Sequence, residues 1–96
     1  MSTPRIVRFR FDDDNESKFA EHGLSGRQVA QILGNAFIVA RNRRHRRALY
    51  LVVGRDNGGA CIAVPVEATG ERGTWRPVTA WPCKGVELTE LRRRVD

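Results

Sequence analysis

The run Arg41-Asn42-Arg43-Arg44-His45-Arg46-Arg47 places six cationic or titratable side chains in seven residues. Guanidinium forks match phosphate oxygens, so such a segment can grip an RNA backbone. The plainer alternative is a solvated hairpin tip that keeps the adjoining strands from aggregating. Asn15, Lys18, Phe19 and His22 fall at i, i+3, i+4 and i+7, the spacing of one helical stripe. Phe19 must seek the core, which puts Lys18 and His22 at its rim, where a histidine can act as general acid or base near neutral pH. A histidine at a helix C-terminus is equally explained by the helix dipole. Arg55 and Arg76 could hold a phosphate and the charge that develops on it, or form ion pairs with Asp56 or Glu67. Trp75 and Trp81, six positions apart, share a face of one continuous strand, where they could stack bases or fill the core.

The sequence contains no HExxH, P-loop or GxSxG pattern, and its carboxylates gather at a helix start. Any catalysis is therefore expected to be free of metals and cofactors. Attack of an RNA 2′-hydroxyl on the adjacent phosphate is such a reaction. It needs a base, an acid and positive charge around the phosphorane.

Charge is unevenly distributed. The formal net charge is +6, and the 17 basic residues include only two lysines, Lys18 and Lys84. Between His22 and Val66 seven arginines face one acid, Asp56, which accounts for the whole excess. A positive middle suits RNA or an acidic protein partner, although arginine richness can also be purely compositional. The 96 residues fit a single domain, 1–96, and 41% hydrophobic content suffices for one core. The longest apolar runs are too short to span a bilayer, and Met-Ser-Thr-Pro-Arg lacks the apolar stretch of a secretory signal. Cys61 and Cys83 have neither CxxC spacing nor a histidine pair, so a cytoplasmic domain with reduced thiols is expected.

These residues need a scaffold. Alternation over Arg5–Phe11 predicts a strand with Val7, Phe9 and Phe11 inward. Asp13 with Glu16 has capping-box spacing for a helix running to about His22, with Gly23 as its stop. Ser25 with Gln28 repeats that spacing for a second helix, whose apolar face is Val29, Ile32 and Leu33 and whose end is Gly34. Strands follow at Phe37–Arg41 and Ala48–Arg55. Asn57-Gly58 is the preferred pair of a two-residue type I′ turn, which would set Val53 opposite Ile62 and Leu51 opposite Val64. In that register Leu49, Leu51, Val53, Ile62, Val64 and Val66 form the side that receives the two helices. Thr74–Trp81 is a further strand, and Glu87–Arg94 a closing helix with Leu88, Leu91 and Val95 on one face. The order β-α-α-β-β-β-β-α predicts an α+β fold, a small antiparallel sheet with two N-terminal helices and one C-terminal helix.

Read in order, the features form a recognisable series. A strand ends in Phe11-Asp12, a helix ends in His22-Gly23-Leu24-Ser25, and a second helix runs through Val29 and Leu33. Tyr50-Leu51-Val52-Val53-Gly54-Arg55, a glycine turn, an aliphatic strand and Trp75-Arg76-Pro77-Val78-Thr79-Ala80 complete it. The series resembles the BrnT family, bacterial toxins of type II toxin–antitoxin pairs similar in fold to RelE-type ribonucleases. His22-Gly23 stands for the family's KHG with Glu21 at the lysine, and Trp81 replaces the arginine that usually follows Ala80. The resemblance implies metal-independent endoribonuclease activity that blocks translation, and neutralisation by a cognate antitoxin, commonly of ribbon-helix-helix type. Under it His22 would be the general acid or base, with Lys18, Arg55 and Arg76 around the phosphate. Arg41, Arg43, Arg44, His45, Arg46 and Arg47 would hold flanking RNA. The competing expectation is a non-catalytic module that uses the same basic face for nucleic acid or an acidic partner.

Overall fold

A computed structural model describes residues 3–42 and 48–95. The expected basic contacts at Arg43, Arg44, His45, Arg46 and Arg47 lie outside the described residues.

The first helix, α1 (Asp13–Glu21), is capped by Asp12, whose Oδ1 accepts the Asn15 N–H at 2.8 Å while Asn15 Oδ1 accepts the Asp12 N–H at 3.0 Å. The capping box therefore sits one residue before the expected Asp13/Glu16 pair. Asn15 explains the shift. It is fully buried, and its Nδ2 donates to the Arg10 and Pro77 carbonyls, joining helix, N-terminal segment and sheet. Gly23, at φ +74°, stops the helix as expected. The second helix, α2 (Gly26–Gln31), carries the expected reciprocal box of Ser25 and Gln28 and tightens into a 3-10 turn over Ile32–Gly34. The third, α3 (Gly85–Val95), buries Leu91 and half-buries Leu88 and Val95.

The strands are β1 (Arg8–Phe9), β2 (Phe37–Arg41), β3 (Tyr50–Arg55), β4 (Cys61–Ala68), β5 (Thr74–Pro77) and β6 (Trp81–Pro82). They lie in the order β1-β5-β4-β3-β2, with β6 also on β4. The α+β class stands. The sheet, however, is mixed rather than antiparallel, because β1 runs parallel to β5. β1 is two residues long, and Ile6 rather than Val7 turns inward, leaving Val7 49% exposed. The expected strand Thr74–Trp81 is two strands. Pro65 and Pro77 have no N–H to give the ladder, so β5 ends at Pro77, with only the Val78 N–H to Pro65 carbonyl bond beyond it, and strand pairing resumes at Trp81.

The β3–β4 register differs from the expected one by a single residue. Val53 pairs with Ala63, Val52 with Val64 and Arg55 with Cys61. Asp56 causes the shift. Its Oδ1 accepts the Gly58 and Ala60 N–H groups, each at 2.9 Å, and Asp56 N donates to the Ala60 carbonyl. The loop therefore has three residues, and Gly59, at φ +90°, takes the left-handed position.

A one-residue slip exchanges the faces of one strand relative to the other. Val52, Ile62, Val64 and Val66 pack with Phe19, Val29 and Ile32 under α1 and α2. Val53 and Leu51 instead face α3 with Ile38, Ala63 and Leu91. Leu49, expected inside, is 53% exposed. Both faces of the sheet are thus covered. Gly54 must remain glycine, because an added Cβ would come within 3.0 Å of Phe37 Cβ and 3.2 Å of Ile32 Cβ.

The reduced-thiol expectation is overturned. Cys61 and Cys83 form a disulfide that ties the segment before α3 to the start of β4. The pairing depends on β6 returning to β4, which places the Cys83 N–H 2.9 Å from the Cys61 carbonyl. Among the described residues, no helix is long and apolar enough to cross a membrane.

Candidate nucleic-acid interface

The residues expected to surround a phosphate do not meet at one point. Arg76 lies opposite Glu67 near one end of β4, and Arg55 lies opposite Cys61 at the other. The two positions are six steps of strand apart, about 20 Å along the backbone. Arg76 is already clamped by carboxylates. Its Nε donates to Asp12 Oδ2 at 2.7 Å, its Nη1 to Glu67 Oε2 at 2.9 Å, and its Nη2 to Asp12 at 3.2 Å and Asp14 at 3.3 Å. The ion pair with Glu67 is the alternative that the sequence left open. Asp12 and Asp14 join it because the cap of α1 lies over β5. The guanidinium holds the Asp12 carboxyl below its ordinary value, helped by the Asn15 N–H. In turn the Asp12 hydrogen bond, reinforced by Glu67, raises Arg76 above its ordinary range against the cost of its partial burial.

Lys18 is drawn into the same cluster, with Nζ 3.6 Å from Asp14. His22 follows one turn later as the exposed C-cap of α1. Asp12, Asp13 and Asp14 crowd the N-terminus of α1, whereas Glu21 adjoins His22 at its C-terminus. Lys18 and Arg76 are thus both engaged by carboxylates, which a phosphodiester would have to displace.

The opposite character appears at the far end of β2. Arg41 and Lys84, both exposed, border a groove of about 280 Å³ whose apolar lining is Leu51, Trp81 and Val86. Glu87 also borders it, but its carboxylate is engaged. It accepts the Trp81 indole N–H at 3.1 Å and reaches back to the Lys84 N–H at 2.8 Å, as an N3 glutamate does at a helix start. The sequence did not reveal this groove. Trp75 and Trp81 were expected on one face, yet the break after Pro77 sends them to opposite sides. Trp75 packs edge-on to Tyr50 with ring centroids 5.6 Å apart, on the α1–α2 side. Trp81 packs on the α3 side.

Asp56, the single acid of the basic middle, is only 7% exposed. Its carboxylate is turned onto backbone amides and Gln28 Nε2. The Ala60 N–H is the main cause that holds it below its ordinary pKa, with Gln28 and the Gly58 and Gly59 amides adding to it against burial. The outward charge of this segment is therefore almost wholly arginine. A wider hollow of about 520 Å³ lies between residues 3–5 and the β4–β5 connection. Glu71 lines it and also pairs with Arg10 at 3.2 Å and Arg8 at 3.9 Å. Trp75, one of the two candidate stacking residues, lines it together with Arg5 and Arg72.

No family model matches the chain, and no curated protein matches it by sequence.

Proposed function

We propose that this protein binds single-stranded RNA through the basic surface around Arg41 and Lys84, as a binding module rather than through a phosphate site on α1. The observation that carries this reading is the segregation of charge. Seven arginines between His22 and Val66 stand against one acid, that acid points inward, and Arg41 and Lys84 border an apolar groove. Association should be salt-dependent because phosphates neutralised by arginine release counterions. The test is RNA affinity across a salt series for the parent and for a variant with Arg43, Arg44, Arg46 and Arg47 changed to Gln. The slope should flatten in the variant while its melting temperature holds. An unchanged slope overturns the reading.

A second reading keeps the resemblance to BrnT toxins, and the exposure of His22 one turn from Lys18 favours it. Here His22 is the acid or base of a metal-independent endoribonuclease, and a ribbon-helix-helix antitoxin restrains it. Arg76 must then exchange three carboxylates for a phosphate. Induction in bacteria decides between the two. Growth arrest and RNA cleavage that disappear in His22→Ala, with RNA affinity retained, would establish the toxin reading.

A further inference from the structure

We infer that the groove between the end of β2 and the start of α3 is a base-stacking subsite, with Trp81 as the platform and Arg41 and Lys84 as phosphate contacts. The inference rests on the RNA-binding reading and gives it a specific location. Single-stranded nucleic acid is held by aromatic faces within a positively charged groove, and this groove combines the two. Leu51, Trp81 and Val86 supply flat apolar surface, and the two cations stand at its border. Its volume of about 280 Å³ lies at the lower edge of the range for ligand pockets, which suits one planar ring rather than a folded cofactor.

The indole is held in place rather than loosely exposed. Both Glu87 carboxylate oxygens accept its N–H, the β6 ladder sets Trp81 opposite Ala63, and the Cys61–Cys83 bond fastens the chain two residues later. A fixed platform loses little freedom when a base settles on it. Glu87 would otherwise oppose an anion here, but its charge is shared between the indole and the Lys84 amide.

The test compares binding of a short oligoadenylate with an abasic oligomer of equal length and charge, using the full chain. The parent should prefer the oligoadenylate by about 5- to 150-fold, the range one stacked base supplies. Trp81→Leu should lose that preference and keep its affinity for the abasic oligomer. Val86 is 78% exposed, so Val86→Glu should fold normally and, by placing a carboxylate in the groove, should also shrink the preference. If Trp81→Leu does not fold, Val86→Glu decides alone. A preference unchanged in the folded variants overturns the subsite and leaves RNA binding standing. A parent that binds neither oligomer overturns the RNA reading and the subsite together. Polyglutamate bound as tightly as oligoadenylate would overturn both in favour of an acidic protein partner.

Discussion

Opening the Cys61–Cys83 bond removes a constraint whose size follows from its place in the chain. The two cysteines are 22 residues apart. Closing a loop of that length lowers the entropy of the unfolded chain by an amount worth about 3 kcal/mol. Domains of this size are stable by about 5–15 kcal/mol, so the loss is a large fraction of the total. It corresponds to a fall in Tm of roughly 12–24 °C, at about 4–8 °C per kcal/mol. The native contacts that remain for the clipped segment are few: the two-residue β6 ladder, the Cys83 N–H to Cys61 carbonyl bond, the Trp81–Glu87 bonds and the burial of Leu91. The assay is thermal unfolding by circular dichroism of the oxidised parent, the reduced parent and a Cys61→Ala/Cys83→Ala variant. Thiol titration of the folded protein accompanies it. Oxidised protein should show no titratable thiol, and the reduced parent and double variant should melt together at the lower temperature. Coincident melting of oxidised and reduced parent, or two thiols that persist after mild oxidation, would refute the reasoning.

Two further outcomes test the core and its electrostatics. Ile62 is fully buried under α1 and α2, so Ile62→Ala should cost about 2–5 kcal/mol in chemical denaturation. Leu49, 53% exposed, should change stability by no more than about 0.5 kcal/mol as Ala, and a large loss there would restore the two-residue turn and its register. Asp12 and Asp56 both lie below the ordinary carboxylate value of 3.8 in the folded chain, so the unfolded chain takes up protons first as pH falls. Their contribution is complete above 3.8 and is lost as pH drops through the lowered folded values. Acid melts should record that loss, and Asp56→Asn, which keeps an accepting oxygen for the amides, should make it shallower.

Much of the scaffold was legible because its signals are local. The Ser25–Gln28 box, the stop at Gly23, strand β2 and the apolar stripe of α3 each depend on residues within a turn of one another. What escaped depended on distant partners or on competing local options. Asp56-Asn57-Gly58-Gly59 permits both a two-residue turn with Asn57 and Gly58 at positive φ and a three-residue turn with only Gly59 there. The Asp56 carboxylate selects the second by capturing two amides. That choice moved Leu51 and Val53 to the α3 face. The disulfide was hidden for a related reason, since a spacing of 22 residues carries no pairing information until β6 is known to return to β4. The clamp on Arg76 was only partly visible, because Asp12 and Asp14 reach it across more than 60 positions of sequence.

The separation of the two surfaces constrains any account that combines binding with cleavage. His22 and Lys18 belong to α1, which packs through Phe19 on one face of the sheet. Trp81 and Leu51, which line the groove, belong to the other face, under α3. One extended strand of RNA cannot rest on Trp81 and meet His22 without passing round the sheet. A nuclease of this architecture would also need Arg76 released from Asp12, Asp14 and Glu67 before it could hold a phosphate. A binding module needs nothing of the kind. The binding reading keeps the RNA contact on the α3 face, where Trp81 and Leu51 lie, and leaves α1 outside it.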